Sequence, residues 1–245
     1  AAVLILAGWN PWAATGVAML AGAVAGLVTA ALNVQFRILN LLASILTMIA
    51  LFSINLRVMG RPNVAILIQD TVLTPFYDLG QTLGLSDAVV RPLFVLAVVL
   101  VVVALLARFL TSEFGLAMRA TAFNQQVAQS LGISVRNVFA LSWAISAMVS
   151  AVAGVVVGTV NGVSSALSFF GIKVFPAVIL GGLDSIVGAV IGGLIVGLLE
   201  NVAHFFDSQF LNWGNMYEIA PFYVLIVILM IKPYGLFGTK TIERV

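Results

Sequence analysis

The chain has 245 residues, of which 62% are hydrophobic and only 8% are charged, and its formal net charge is +2. Soluble domains carry about 25% charged residues, so this composition excludes a soluble globular domain and makes the lipid bilayer the solvent. The small positive charge gives no indication of a nucleic-acid partner, and the absence of cysteine from the sequence excludes disulfides, zinc–thiolate and iron–sulfur sites. Apolar runs such as Val95–Leu106 are continuous rather than alternating, which predicts helices and not the strands of a barrel.

The first segment, Ala1–Gly8, is apolar but too short to span a bilayer. We interpret it as the end of a truncated helix; the end of a signal peptide is the alternative. A span needs about 20 apolar residues. The candidate spans that follow are Trp12–Leu32, Ile38–Leu56, Pro92–Leu110, Asn137–Val160, Ser185–His204 and the shorter Glu218–Ile231.

Gly171–Gly182 is a shorter apolar segment that ends in a turn-like sequence, Gly181-Gly182-Leu183-Asp184-Ser185. It is predicted to be a short or broken helix of the kind that lies against protein or lines a cavity. We therefore expect an all-α polytopic membrane protein with about seven transmembrane or partial helices, forming a single membrane-spanning domain over residues 1–245.

The polar interval Thr111–Asn137 interrupts this apolar pattern and is long enough to form its own short helix. Asn124 is expected to cap that helix by accepting a hydrogen bond from a first-turn N–H, and Gly132 to end it in the left-handed conformation. The expected apolar face consists of Val127, Ala128 and Leu131, whereas the polar positions are Gln125, Gln126 and Gln129. A capped helix at a membrane surface suits contact with a partner protein.

Basic residues near helix ends predict the orientation of the chain. Arg108, Arg119 and Arg136 accompany the polar interval with only Glu113 opposing them, which places this interval in the cytoplasm. Two further basic segments are expected on the same side: the turn Asn33–Arg37, and the segment after the last span with Lys232, Lys240 and Arg244. Loop 57–91 has three arginines balanced by three aspartates, and segment 205–217 has no Lys or Arg; both are expected outside.

Polar side chains within the apolar segments form a second group of candidates. Asn40, Ser44 and Thr47 share a helix face, and Asn55 follows in the same span. They either make hydrogen bonds between helices or line a translocation pathway, for which the turn residues Gly181, Gly182 and Asp184 are further candidates.

An ionisable residue inside an apolar segment is costly in a membrane, so we expect it to have a function. Lys173 and Glu200 are of this kind, although placement at the membrane interface is the other interpretation. His204 has no companion at metal-ligand spacing and is interpreted as a helix-end histidine. The sequence has no catalytic constellation, no metal or cofactor motif and no G-x-x-x-x-G-K-[ST], so we expect no enzyme activity, and any ATP hydrolysis must occur on another polypeptide.

Part of the polar interval carries a recognisable pattern. Arg119-Ala120, Asn124, Ala128 and Gly132-Ile133 fill the series R-A-x-x-x-N-x-x-x-A-x-x-x-G-I without a gap. This series resembles the coupling loop of ABC-importer permeases of the branched-chain amino acid type.

Two further segments are similar to that family. Gly181–Ala189 resembles its G-G-x-G-S-x-x-G-A segment, with Asp184 where the family usually has Gly, and Lys232–Gly238 with Glu243-Arg244-Val245 resembles its C-terminal signature. Leu42–Met48 and Leu51–Asn63 are more similar to a neighbouring group, the putative tryptophan/tyrosine-type ABC permeases.

The resemblance implies the permease subunit of an ATP-driven importer for amino acids, branched-chain or other apolar ones, spanning a bacterial cytoplasmic (inner) membrane several times. It implies two permease subunits, identical or different, two ATPase subunits beneath them and a solute-binding protein outside. The implied ATPase-coupling residues are Arg119, Ala120, Asn124, Val127, Ala128, Leu131, Gly132 and Ile133.

Two alternatives of other classes remain open from the sequence. An ion-gradient-driven secondary transporter would use Lys173 or Glu200 as its coupling charge. A membrane scaffold without transport activity would assemble through glycines spaced four apart, such as Gly22 and Gly26.

Overall fold

A computed structural model describes residues 1–36, 38–60, 63–64, 70–164, 167, 170–212, 214 and 216–238. The chain divides into two units, Ala1–Ser165 (unit 1) and Ala166–Val245 (unit 2). In its described part, unit 1 contains α1 Ala2–Leu6, α2 Pro11–Val34, α3 Asn40–Met59, β1 Asn63–Val64, α4 Thr74–Thr82, α5 Asp87–Leu110, α6 Glu113–Phe123, α7 Gln125–Ser130, α8 Val135–Asn161 and β2 Val163–Ser164. Unit 2 contains α9 Phe170–Gly181, α10 Ile186–Phe206, a π-helical turn Asp207–Leu211 and α11 Met216–Ile231.

Within the described residues, five helices are long and apolar enough to cross a membrane: α2, α3, α5, α8, and α10 with its π-helical continuation. The apolar helices α9 and α11 are shorter. This arrangement confirms the predicted all-α polytopic fold with seven transmembrane or partial helices. Most side chains of α5 are exposed, Val90 and Phe94 being buried exceptions, as expected for a helix whose solvent is lipid.

The structure corrects the start of one predicted span and adds elements that the apolar pattern did not predict. α5 begins at Asp87 rather than at Pro92, which lies inside the helix. The helices α4 and α6 lie in segments that were predicted as connections, because neither is continuous in apolar residues. The strands β1 and β2, two residues each, pair antiparallel.

The packing of unit 1 depends on close approach between α2 and α8. A Cβ atom added at Gly26 would lie 2.3 Å from the Trp143 carbonyl oxygen, and one at Gly22 would lie 2.7 Å from that of Ala147. Small residues on α2 thus let the two backbones meet, as is common between membrane helices.

Unit 1 has two distinct ends. At one end, Arg136 at the start of α8 donates a hydrogen bond to the Gln35 side chain at the end of α2, at 3.4 Å. At the other end, β1 pairs with β2, and Val163 packs against Met59 at the end of α3. The polar interval between α5 and α8 therefore lies at the same end as the turn after α2, as the predicted orientation requires.

Unit 2 is held together by its glycines and by the segment after α11. A Cβ atom at Gly192 would lie 2.1 Å from the Ala177 carbonyl oxygen, so α9 and α10 are in backbone contact. The N–H groups of Leu236 and Phe237 donate to the carbonyl oxygens of Leu180 and Gly181 at 2.8 and 3.1 Å. The loop after α11 therefore satisfies carbonyl groups that the end of α9 would otherwise leave without partners.

Candidate coupling segment and membrane polar residues

The polar interval folds into two short helices at one end of unit 1. Ser112 caps α6 by accepting a hydrogen bond from the Gly115 N–H at 3.3 Å. A Cβ atom at Gly115 would lie 2.5 Å from the Leu110 backbone, so glycine permits the sharp turn from α5 into α6. α6 then reaches Asn124, which separates it from α7.

The caps predicted for α7 are confirmed. The Asn124 side-chain oxygen accepts hydrogen bonds from the N–H groups of Gln126 at 3.0 Å and Val127 at 3.1 Å. At the other end Gly132 has φ +84°. Its N–H donates to the Gln129 carbonyl, and the Ile133 N–H donates to the Ala128 carbonyl, both at 3.0 Å. This pair of bonds is a Schellman motif, so both ends of the short helix are fixed.

The predicted apolar face of α7 is divided by the structure. Ala128 is only 1% exposed, whereas Val127 is 53% and Leu131 73% exposed. The exposed apolar surface is therefore smaller than the predicted face, because Ala128 is buried against the protein. Phe123, the last residue of α6, is 94% exposed, and we refer to Phe123, Val127 and Leu131 as the apolar tip.

The other predicted coupling residues differ in their exposure. Arg119 is exposed, and Ala120 and Ile133 are partly buried. Arg119 and Gln125 also border a cavity of about 530 Å³ between α6, α7, the start of α3 and α8. Its lining residues are Asn40, Met118, Arg119, Thr121, Ala122, Gln125, Val138, Phe139, Ser142, Trp143 and Ser146.

The polar residues of α3 have different surroundings. The Thr29 hydroxyl of α2 donates to Thr47 Oγ1 at 3.0 Å, and the Thr47 hydroxyl donates to the Ala43 carbonyl at 2.9 Å. Thr47 is therefore engaged in an interhelical hydrogen bond. Ser44 donates to the Asn40 carbonyl at 2.7 Å.

Asn40 and Asn55 are exposed side chains of α3. Asn40 lines the cavity described above, and Asn55 lies near the opposite end of the helix. The lining of a pathway by Asn40, Ser44, Thr47 and Asn55 stays a prediction.

The turn between α9 and α10 is built on glycine contacts. A Cβ atom at Gly181 would lie 2.1 Å from the Gly188 carbonyl oxygen. Gly182 has φ +104°, and a Cβ atom there would lie 2.5 Å from the Gly238 backbone nitrogen. Asp184 does not adopt a glycine-like backbone conformation. Among the described residues other than glycine, only Asn212 has a positive φ. These contacts give Gly181 and Gly182 a packing role, and a role for them or Asp184 in the pathway stays a prediction.

Lys173 and Glu200, which the sequence singled out separately, form an ion pair between α9 and α10. Lys173 Nζ lies 3.2 Å from Glu200 Oε1. It also lies 5.7 Å from the ring centroid of Phe170 and 5.3 Å from that of Tyr217. His204 contacts the Tyr217 ring edge to face, with 5.5 Å between centroids. The pairing depends on how α9 and α10 align, which the sequence pattern did not contain.

These features define a class of protein: a polytopic helical membrane protein that presents a short helix, capped at both ends, with an exposed apolar tip. The chain belongs to the family described as "Branched-chain amino acid transport system / permease component", which matches residues 1–231. It is accordingly a multi-pass protein of the inner membrane.

Curated relatives carry the same description in more specific form. The high-affinity branched-chain amino acid transport system permease protein LivH of Escherichia coli (strain K12) is 34% identical over 136 residues, which are 55% of this chain and 42% of that protein. A probable branched-chain amino acid transport permease protein LivH of Methanocaldococcus jannaschii is 31% identical over 155 residues, 60% of this chain and 48% of the relative. The tyrosine transport system permease protein of Clostridioides difficile is 36% identical over 140 residues, 57% of this chain and 43% of the relative.

The chain thus spans, in these matches, somewhat less than half the length of the curated relatives. No solved structure matches the chain.

Proposed function

We propose that this chain is the transmembrane permease subunit of an ATP-driven importer for amino acids, with branched-chain or other apolar amino acids as the first candidates. The observation that carries the proposal is α7, a helix capped at both ends whose apolar tip is exposed, in a chain of a transport-permease family. Residues 1–245 would act as one permease domain, with residues 111–137 as its coupling loop.

The proposed partners follow from this role. A second permease subunit would complete the pathway, and two ATPase subunits would lie beneath the pair, one of them bound to the coupling loop of this chain. A solute-binding protein would deliver the amino acid from outside. The substrate class is supported by the named relatives, which are described as permeases for branched-chain amino acids or tyrosine.

Motion would pass from the ATPase into the membrane through α7. Full burial of an exposed Val or Leu side chain contributes about 1.5–3 kcal/mol, so Val127 and Leu131 can hold α7 in an ATPase groove while the contact remains reversible. Asn124 joins α7 directly to α6, and residues 131–134 join it to α8. Because both caps keep the helix intact, a displacement of α7 would tilt α5 and α8.

The cavity beside α7 supports such a movement. It lies between α6, α7 and α8 and has a volume of about 530 Å³. Close-packed protein interiors resist displacement, whereas a cavity lets α6 and α7 shift against α8 without overlap of side chains.

The decisive experiment is reconstitution of the full-length protein with the ATPase subunits that co-purify with it. Proteoliposomes that contain ATP, with the cognate binding protein added outside, should accumulate labelled leucine, and vesicles without internal ATP should not. In the variant Val127→Asp/Leu131→Asp, most of the ATPase should no longer co-purify with the permease, and most leucine uptake should be lost. The reason is that two carboxylates would be placed in an apolar groove.

Leu83→Asp is the matched control, since Leu83 is 66% exposed but follows α4 in a loop predicted outside. It should retain the ATPase fully. Ala128→Arg is a poor test because Ala128 is buried. Uptake driven by an ion gradient without a second protein would contradict the proposal and favour a secondary transporter.

A further inference from the structure

The ion pair between Lys173 and Glu200 lies within apolar helices and is not used by the coupling mechanism. Both side chains are 26% exposed. An ionisable residue is costly inside a membrane, and such residues face protein or a water-filled cavity rather than lipid. The edge of unit 2 that carries the pair is therefore expected to face an aqueous space.

The pair leaves hydrogen-bonding capacity for a ligand. In the part of the chain that the structure describes, it joins Lys173 Nζ to one of the two carboxylate oxygens of Glu200. A Lys ammonium has three donors, and a carboxylate has about four lone-pair sites. The exposed quarter of each side chain is where a further charged group could approach.

We propose that Lys173 and Glu200 form a binding site for the zwitterionic head of an α-amino acid, and this inference rests on the proposed function. The ligand carboxylate would bind the Lys173 ammonium, and the ligand ammonium would bind the Glu200 carboxylate. One internal ion pair is exchanged for two ion pairs with the ligand, so every charge of the pair and of the ligand has a partner.

The surroundings of the pair select the side chain of the ligand. The rings of Phe170 and Tyr217 lie beside Lys173 Nζ, and His204 packs against Tyr217. These rings offer an apolar surface next to the position of the ligand backbone. A ligand with an additional charge would leave that charge without a partner, so neutral amino acids with apolar side chains are favoured.

The location of the pair agrees with a site on the outer part of the pathway. Lys173 belongs to the first turn of α9, and Tyr217 to the first turn of α11. The opposite ends of these helices meet the C-terminal loop, where Leu236 contacts Leu180. That loop carries Lys232 and is predicted to be cytoplasmic, so the ion pair lies toward the outside.

The test measures binding of labelled leucine to the purified, detergent-solubilised permease–ATPase complex without the binding protein. In the unsubstituted protein, leucine should compete at least about tenfold better than 4-methylpentanoate, which lacks the ammonium, and 3-methylbutylamine, which lacks the carboxylate. Equal binding of either analogue would overturn the proposal, and this measurement does not depend on whether any variant folds.

Variants separate ligand recognition from a purely structural ion pair. Glu200→Gln should weaken leucine binding about tenfold or more and reduce the preference for leucine over 4-methylpentanoate, whereas Lys173→Arg should retain binding. The exchange Lys173→Glu/Glu200→Lys keeps an ion pair but reverses its polarity, so it should not restore binding. Normal leucine affinity in the exchanged protein would mean that the ion pair only holds α9 and α10 together, and it would overturn the proposal.

The gel-filtration behaviour of each variant and its co-purification with the ATPase provide the control for folding. ATP-driven uptake by the unsubstituted complex tests the proposed function separately. If uptake is ATP-driven and the exchanged protein binds leucine normally, only this inference fails. If leucine binds through both charges but uptake needs no ATPase, only the proposed function fails.

Discussion

Asn124 fixes the start of α7 through two hydrogen bonds, at 3.0 and 3.1 Å, from the Gln126 and Val127 N–H groups. Replacing a capping Asn by Ala costs about 1 kcal/mol, which is a large effect for a helix of six residues. Asn124→Ala should therefore increase hydrogen exchange of these two amides about fivefold and reduce ATP-driven uptake. Hydrogen exchange with mass spectrometry and the proteoliposome assay measure both effects.

Asn124→Ser and Asn124→Asp are the controls, because each supplies a side-chain oxygen at the same position. Both should retain slow exchange at Gln126 and Val127. Unchanged exchange in Asn124→Ala would mean that contacts with the rest of unit 1, and not the cap, hold the helix in place.

The sequence predicts this cap well because capping is local. Asn124 and Gly132 need only their neighbours in the chain, so their residue types were sufficient. The burial of Ala128 and the exposure of Val127 depend on which side of α7 meets the protein, and six residues contain too little periodicity to determine it. The pairing of Lys173 with Glu200 depends on tertiary structure in the same way.

At the scale of elements, the contact between α9 and α10 gives a sharp comparison between adjacent glycines. A Cβ atom at Gly192 would lie 2.1 Å from the Ala177 carbonyl oxygen, whereas one at Gly193 would have no atom within 4 Å. Overpacking costs about 1–3 kcal/mol, so Gly192→Ala should lower the thermal midpoint of the purified protein and its yield in the membrane.

Gly193→Ala changes the same chemical group one position away and is the matched control. Alanine is favoured over glycine inside a helix by about 1 kcal/mol, so this variant should be as stable as the unsubstituted protein or more so. Thermal unfolding in detergent measures both proteins. Equal midpoints for the two variants would contradict the close contact of α9 with α10.

The sequence predicted the long helices more reliably than the short ones. Continuous apolar residues are sufficient for α2, α3, α8 and α10, because the bilayer requires a helix of that length. The segment Glu218–Ile231 was predicted as a span, and its helix α11 is shorter than the other spans. α5 extends to Asp87 because a proline is tolerated inside the helix, and Pro92 had been taken as its start. α4 was missed because its apolar residues are interrupted by Asp78 and Gln81, and its stability comes from packing of Phe76 against Phe94 at 4.8 Å.

At the scale of the whole molecule, the proposed mechanism requires a fixed orientation in the membrane. The coupling segment and the loop after α11 must both face the ATPase, whereas the segment after α4 and the end of α10 must face outward. Arginine near the coupling segment and Lys232 after α11 predict this orientation. Antiparallel pairing of β1 with β2 at the other end of unit 1 agrees with it.

The absence of cysteine from these 245 residues makes the orientation directly measurable. Single cysteines can be introduced at the exposed positions Gln126, Tyr234, Leu83 and Gln209. In intact cells, a membrane-impermeant maleimide should label Leu83→Cys and Gln209→Cys but should not label Gln126→Cys or Tyr234→Cys. In inside-out vesicles the pattern should be reversed, because the same thiols then face the opposite compartment.

Labelling after detergent solubilisation is the control, since all four thiols should then react. Bound ATPase should slow the reaction of Gln126→Cys in inside-out vesicles, because Gln126 lies beside the exposed Val127. If the contact with the ATPase is confined to α7, Tyr234→Cys should react at the same rate with and without bound ATPase. Labelling of Gln126→Cys in intact cells would place the coupling segment outside, where no ATPase could reach it, and the proposed mechanism would have to be abandoned.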